Sequence, residues 1–131
     1  MKLLTRNTDY GIRAICYMSK HNADMVSAAE LAKALEVPGP FLRKILQVLN
    51  KEGVVRSRKG LAGGFRLAAK PQDISLIDLI EAFQGKLKIN ECLFKKSLCP
   101  NTRMCTLKNR IDGIEKYVMS ELRSISIQDL L

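Results

Sequence analysis

Residues 40–67 read PFLRKILQVLNKEGVVRSRKGLAGGFRL. Phe41, Leu42, Ile45, Leu46 and Leu49 recur at helical spacing, which predicts a helix over Phe41–Glu52 with those side chains inward. Pro40 sits at or near its N1 position and Gly53 at its C′ position, the two ends where these residues are favoured. Arg43, Lys44, Gln47, Asn50 and Lys51 are left outward. The second half predicts strands over 54–58 and 65–68 joined by the flexible turn from Lys59 to Gly64. A basic outward helix followed by a hairpin with a Gly-rich tip forms the second helix of a helix-turn-helix and its wing. Gly63 and Gly64 let backbone approach a phosphate or enter a minor groove, with Arg58 and Lys59 presented beside them.

The flanking sequence completes this pattern. Upstream, Ser27 and Glu30 form a capping-box pattern before a short helix over Ala28–Leu35, and Glu36–Pro40 makes the turn. Further back, Thr8 or Asp9 is the expected cap of a first helix ending near His21, with Ile12, Ile15, Cys16 and Met18 inward. Cys16 reads as a small buried hydrophobe, and His21 as a residue suited to a helix C-terminus. Downstream, Pro71 closes the wing and Ser75 caps a helix whose inner stripe is Ile77, Ile80 and Phe83, stopped by Gly85. A last helix over Thr106–Ser124 carries Leu107, Ile111, Ile114, Val118, Leu122 and Ile125 at steps of 3 and 4, a stripe that suits a dimer seam or packing against its own domain. The final six residues form one more capped turn. The fold class is mainly α with a small β-wing. A winged helix-turn-helix domain spans 1–85, a cysteine segment 86–105, and a dimerisation helix with its terminal turn 106–131.

Charge is unevenly placed. Residues 1–70 hold 13 Lys+Arg against 5 Asp+Glu, whereas residues 71–131 hold 9 against 8. Residues 43–66 alone carry seven basic side chains against Glu52. A positive field concentrated on the predicted recognition helix and wing fits double-stranded DNA, the expected partner. No apolar run approaches a membrane span and the N-terminus lacks a signal-peptide core, so no membrane association and a cytoplasmic location are expected. A paired acid and base, a nucleotide loop and a histidine near the cysteines are all missing, which argues against an enzyme.

Cys92, Cys99 and Cys105 lie within 14 residues in a C-x6-C-x5-C pattern, between two helical stretches. In a reducing compartment such a set points to metal or redox chemistry rather than a disulfide framework. Thiolates favour iron–sulfur clusters, zinc and copper(I). On spacing alone, the set is equally compatible with unrelated buried or free thiols.

Over nearly its whole length the chain resembles the IscR/NsrR/RirA/CymR family of bacterial winged-helix repressors. The resemblance is carried by LTRNTDYGIR, VSAAELAK, FLRKILQVLNKEGVV, RKGLAGGFRLA, ISLIDLIEAFQG, the three-cysteine segment and SISIQDLL. It implies a homodimer of winged helix-turn-helix domains crossed by long C-terminal helices. It also implies that Cys92, Cys99 and Cys105 ligate an iron–sulfur cluster, [2Fe-2S] or [4Fe-4S]. IscR-like members supply a fourth ligand from a histidine three positions after the third cysteine, but here that position is Lys108. NsrR-like members use an acidic residue at the start of helix 1 of the other subunit, and the match places Asp9 there. The alternative for Asp9 is a carboxylate stabilised by the helix dipole.

DNA contacts by resemblance fall on Pro40, Arg43, Lys44, Lys59 and Gly63-Gly64, with Gln47, Lys51 and Arg58 on the same surfaces. IscR-like members have Ser, Glu and Gln at the first three of these positions, so their base preference does not carry over. The expected function is a transcriptional regulator, a repressor, whose operator affinity is modulated by a cluster sensing iron, redox state or nitric oxide. The alternatives are a cluster-free regulator of the CymR type controlled by a protein partner, and a thiol/disulfide switch.

Overall fold

Thr5, rather than Thr8 or Asp9, caps the first helix in a computed structural model that describes residues 3–21, 25–61, 63–89 and 106–131. The Thr5 side chain accepts the Thr8 N–H, which places Thr8 and Asp9 inside the first turn of α1 (Arg6–Lys20). Thr8 is fully buried, and its hydroxyl donates to Gln84 Oε1 at 2.6 Å. That uses its single proton, so in the 3.0 Å contact between the two threonine hydroxyls Thr5 is the donor. At the other end of α1, His21 is the C-cap and its ring stacks on Tyr17 at 4.1 Å.

The helix-turn-helix follows as α2 (Ala28–Leu35) and α3 (Gly39–Lys51). Ser27 caps α2 by accepting the Glu30 N–H at 3.0 Å. Glu36 ends α2 in the left-handed region at φ 55°, and Val37 N–H returns to Ala32 O at 3.0 Å, which closes the turn. Leu42, Ile45, Leu46 and Leu49 of α3 are buried against Ile15, Leu31 and Val55. Phe41 stays partly exposed, edge-on to Tyr10 at 5.6 Å and beneath the Arg6 guanidinium at 4.9 Å. Both contacts suit the ring quadrupole.

The wing is an antiparallel pair, β1 (Val55–Arg58) and β2 (Gly64–Leu67), in the register Val55↔Leu67, Arg56↔Arg66, Ser57↔Phe65, Arg58↔Gly64. Val26 pairs with the other edge of β2, exchanging two 2.8 Å hydrogen bonds with Phe65. The hairpin is thereby bonded to the segment before α2 and does not stand free. It also constrains the glycine pair. A Cβ on Gly64, at φ +147°, would lie 2.5 Å from Val26 O, and one on Gly63 would collide with Arg58 O. The sequence pattern assigned these glycines to approach by DNA, whereas the structure adds an intramolecular need for both.

After a 3-10 turn at Pro71–Asp73, α4 (Leu76–Gln84) is capped by Ser75, which accepts the Asp78 N–H. Its buried residues are Ile77, Leu79 and Ile80, while Phe83 packs partly buried on the main core. The last helix, α5 (Thr106–Ser124), lays only its C-terminal end on α4, where Ile77, Ile80, Leu87 and Leu122 form a second cluster. The chain then turns back. Leu76 N–H bonds Ile125 O and Ile127 N–H bonds Ile74 O, which buries Ile127 completely in the main core. The terminal 3-10 turn (Ile127–Leu130) is thus stapled to the winged domain, with Ser126 and Asp129 completing a capping box. Further up α5, Leu107 and Ile114 are 71% and 52% exposed, so these two residues of the predicted stripe stay largely uncovered among the described residues.

Candidate nucleic-acid interface and cysteine segment

Because one face of α3 is consumed by the core, its opposite face is set by geometry alone. Arg43, Lys44, Gln47, Asn50 and Lys51 are all exposed there. The hairpin places Arg58 and Lys59 at its outer end, also exposed. The ion pairs found among the described residues, Arg13–Asp9 and Lys108–Asp112, involve none of these cations. Among the described residues, the sequence-predicted cations therefore have no acidic partner on the helix or the hairpin that follows it, an arrangement suited to phosphates and base edges.

Cys92, Cys99 and Cys105 lie outside the described residues. Their segment is bounded by Ile89, whose N–H is held by Glu115 Oε2 of α5 at 3.0 Å, and by Thr106, which begins α5. The start of the segment is thereby tied to the helix that follows it. Asp9 lies in the first turn of α1, where its carboxylate meets Arg13 Nε at 3.1 Å with both side chains about half exposed. A carboxylate in the first turn is favoured by the positive end of the helix dipole. Three thiolates with one carboxylate form a donor set that iron accepts, the carboxylate being the harder and more labile partner. Cys16 is set apart from that chemistry. It is half-buried on α1, and burial pushes its thiol pKa up despite the opposing charge of Lys20.

One residue was not found from the sequence. Gln84, at the end of α4, accepts from Thr5 N–H at 2.9 Å and from the Thr8 hydroxyl through Oε1, and donates through Nε2 to Leu3 O at 3.2 Å. Both donors to Oε1 demand an oxygen and Leu3 O demands an amine, so the amide orientation follows from its partners. Gln84 thus fastens the start of α1, and Asp9 with it, to the entrance of the cysteine segment. A glutamine before a helix-stopping glycine has no local signature that would reveal this.

Comparison with known proteins agrees with this geometry. Residues 4–131 match the family model described as Rrf2, iron-dependent transcriptional regulator. The chain is 25% identical over 130 residues to the HTH-type transcriptional regulator NsrR of Bacillus subtilis, covering 98% of this chain and 89% of that one. Among solved structures it superposes on T. potens IscR with a TM-score of 0.74 and 27% identity, covering 99% of this chain and 85% of that one. It superposes on CymR, the global cysteine regulator of B. subtilis, with a TM-score of 0.77 and 26% identity, covering 99% of this chain and 96% of that one.

Proposed function

This chain belongs to the Rrf2 family of transcriptional regulators, and from that premise we propose that it is a homodimeric repressor whose operator affinity is set by an iron–sulfur cluster. The observation that carries the proposal is the three-cysteine pattern, entered from Gln84 and Ile89 and leading directly into α5, the helix whose stripe residues Leu107 and Ile114 are uncovered among the described residues. A second copy covering Leu107 and Ile114 bridges the two winged domains through α5. Such a dimer reads two half-sites about one helical turn apart, so its seam controls their spacing.

In this proposal Cys92, Cys99, Cys105 and Asp9 of the partner subunit hold the cluster, which supplies an iron centre reactive toward oxidants and nitric oxide. Lys95, Lys96 and Arg103 stand among the cysteines in the sequence, and in this proposal their charge offsets that of the ligands. Asp9 is fastened through Thr8 and Gln84 to the same turn that begins the cysteine segment. Its engagement therefore bears on how α1 and α4 meet, and through them on the winged domain. The cytoplasm is the proposed location. No helix among the described residues is long and apolar enough to cross a membrane.

The test is direct. Protein prepared without oxygen is expected to contain iron and sulfide and to absorb in the visible. Its affinity for operator DNA is expected to differ from that of the cluster-free protein by about 5–150-fold, the usual span of a coupling between two sites. Equal affinity of the two forms in a gel shift sinks the switch. Absence of iron and sulfide favours the CymR-type or thiol-switch alternatives.

The DNA surface makes its own prediction. In this proposal Arg43 pairs with guanine O6 and N7, and Lys44 holds a phosphate. Arg43→Ala is then expected to cost about 1–3 kcal/mol and to relax base preference at one position. Lys44→Ala is expected to weaken all sequences alike and to lower the salt-dependence slope by about 1. Binding isotherms at several salt concentrations distinguish the two, and identical behaviour of both variants contradicts the assignment.

A further inference from the structure

Arg56 and Arg66 are direct partners across the wing hairpin. Like charges in that register repel, and among the described residues neither has an acidic partner within ion-pair distance. Both line an open cavity of about 640 Å³ between the hairpin, the C-terminal end of α1 and the segment leading into the 3-10 turn at Pro71. Lys70 and His21 line it as well, and Asp73 is the one acid among its described lining residues. Among the described lining residues, three fixed positive charges thus stand against one negative, with Met18, Leu67 and Pro71 supplying an apolar wall. The residues assigned to DNA on α3 and at the wing tip do not line it.

We propose that this cavity binds a small molecule bearing two or more phosphoryl or carboxylate groups. A duplex backbone is met by side chains standing out from helix and hairpin surfaces, whereas a recess with a cationic rim and an apolar wall encloses a compact ligand. The guanidinium groups of Arg56 and Arg66 offer paired planar donors to one anionic group, and Lys70 offers a point charge to another. A bound dianion turns the Arg56–Arg66 repulsion into a shared attraction and braces the base of the wing. This site and its occupant are independent of the cysteine segment, so the proposal stands or falls apart from the cluster.

His21 is the only histidine of the chain and lines the cavity, which makes its ring Cε1 proton a reporter for the site. The full chain is titrated with pyrophosphate and, separately, with citrate, at constant pH and with ionic strength held by sodium chloride. A saturable shift of the His21 resonance is expected with at least one of them. A response to pyrophosphate alone marks a phosphoryl ligand, and a response to citrate alone a polycarboxylate. Replacing the exposed pair as Arg56→Gln/Arg66→Gln is expected to raise the midpoint about tenfold or more, and Lys70→Gln to raise it in the same direction. Circular dichroism confirms that the variants are folded. The proposal is overturned if neither anion gives a saturable shift, or if the shift is unchanged in the double variant. It is also overturned if a short DNA duplex displaces pyrophosphate and the double variant weakens duplex binding as much as Lys44→Ala does, since the cavity then belongs to the DNA surface.

Discussion

Replacing Gly64 with alanine is expected to lower the unfolding midpoint by about 10 °C. Two costs coincide at that residue. Its φ of +147° is one that an L side chain rarely adopts, and the added Cβ would sit 2.5 Å from the carbonyl oxygen of Val26. Backbone strain of this kind costs about 1–3 kcal/mol, and forcing an atom into occupied space costs about 1–3 kcal/mol more. The obstacle is backbone, so no rotamer change relieves it. The relief available is to break the pairing of Val26 with Phe65, which detaches the hairpin from the segment ahead of α2. Gly113 provides the control. It lies in α5 with nothing within 4 Å of its would-be Cβ, so the same substitution there is expected to be neutral or stabilising by up to about 1 kcal/mol. Thermal unfolding of the two variants side by side checks the claim, and equal midpoints refute it. If the wing contributes to DNA binding as proposed, Gly64→Ala also weakens duplex binding while leaving α3 intact.

Asp9→Ala is expected to separate cluster binding from stability. The Asp9–Arg13 pair is an exposed i,i+4 contact, worth about 0.3–0.5 kcal/mol, and the favourable charge in the first turn adds about as much again. Folding stability therefore falls by about 1 kcal/mol at most. If Asp9 is the fourth ligand from the partner subunit, the same change leaves one iron with an open position. The visible spectrum of anaerobically prepared protein then changes, and the cluster is lost to a chelator about tenfold faster or more. Asp9→Cys is expected to restore a stable cluster with an altered spectrum, because a thiolate suits iron better than a carboxylate. An unchanged spectrum and unchanged cluster lifetime in Asp9→Ala would remove Asp9 from the ligand set and leave it as a helix-terminal charge.

The helix-turn-helix and the wing were legible because the signals that specify them are local. Leu42, Ile45, Leu46 and Leu49 lie on one face by the helical period alone, and the cations between them must then face outward. Gly53, Gly85, Ser27 and Ser75 end or begin helices where turn and cap chemistry places them. The cap of α1 was misplaced because Thr5 and Thr8 are equally good caps by type. The burial of Thr8 under Gln84, 76 residues away, decides between them.

The amino-acid order by itself determined which segments become helices and strands, which face of α3 is basic, and that the three cysteines belong to one segment. All of these depend on side-chain spacing within a few turns of chain. Only the tertiary structure decided that Val26 borders β2, that Ile127 returns to the core, and that Gln84 ties α1 to α4. It also placed Arg56, Arg66, Lys70 and His21 around one cavity. The hydrogen-bonded pairings among these join residues far apart in the chain, from Val26 with Phe65 to Thr5 with Gln84. They are specified by how complete elements pack and where their remaining backbone and polar groups find partners, which no local window of sequence contains.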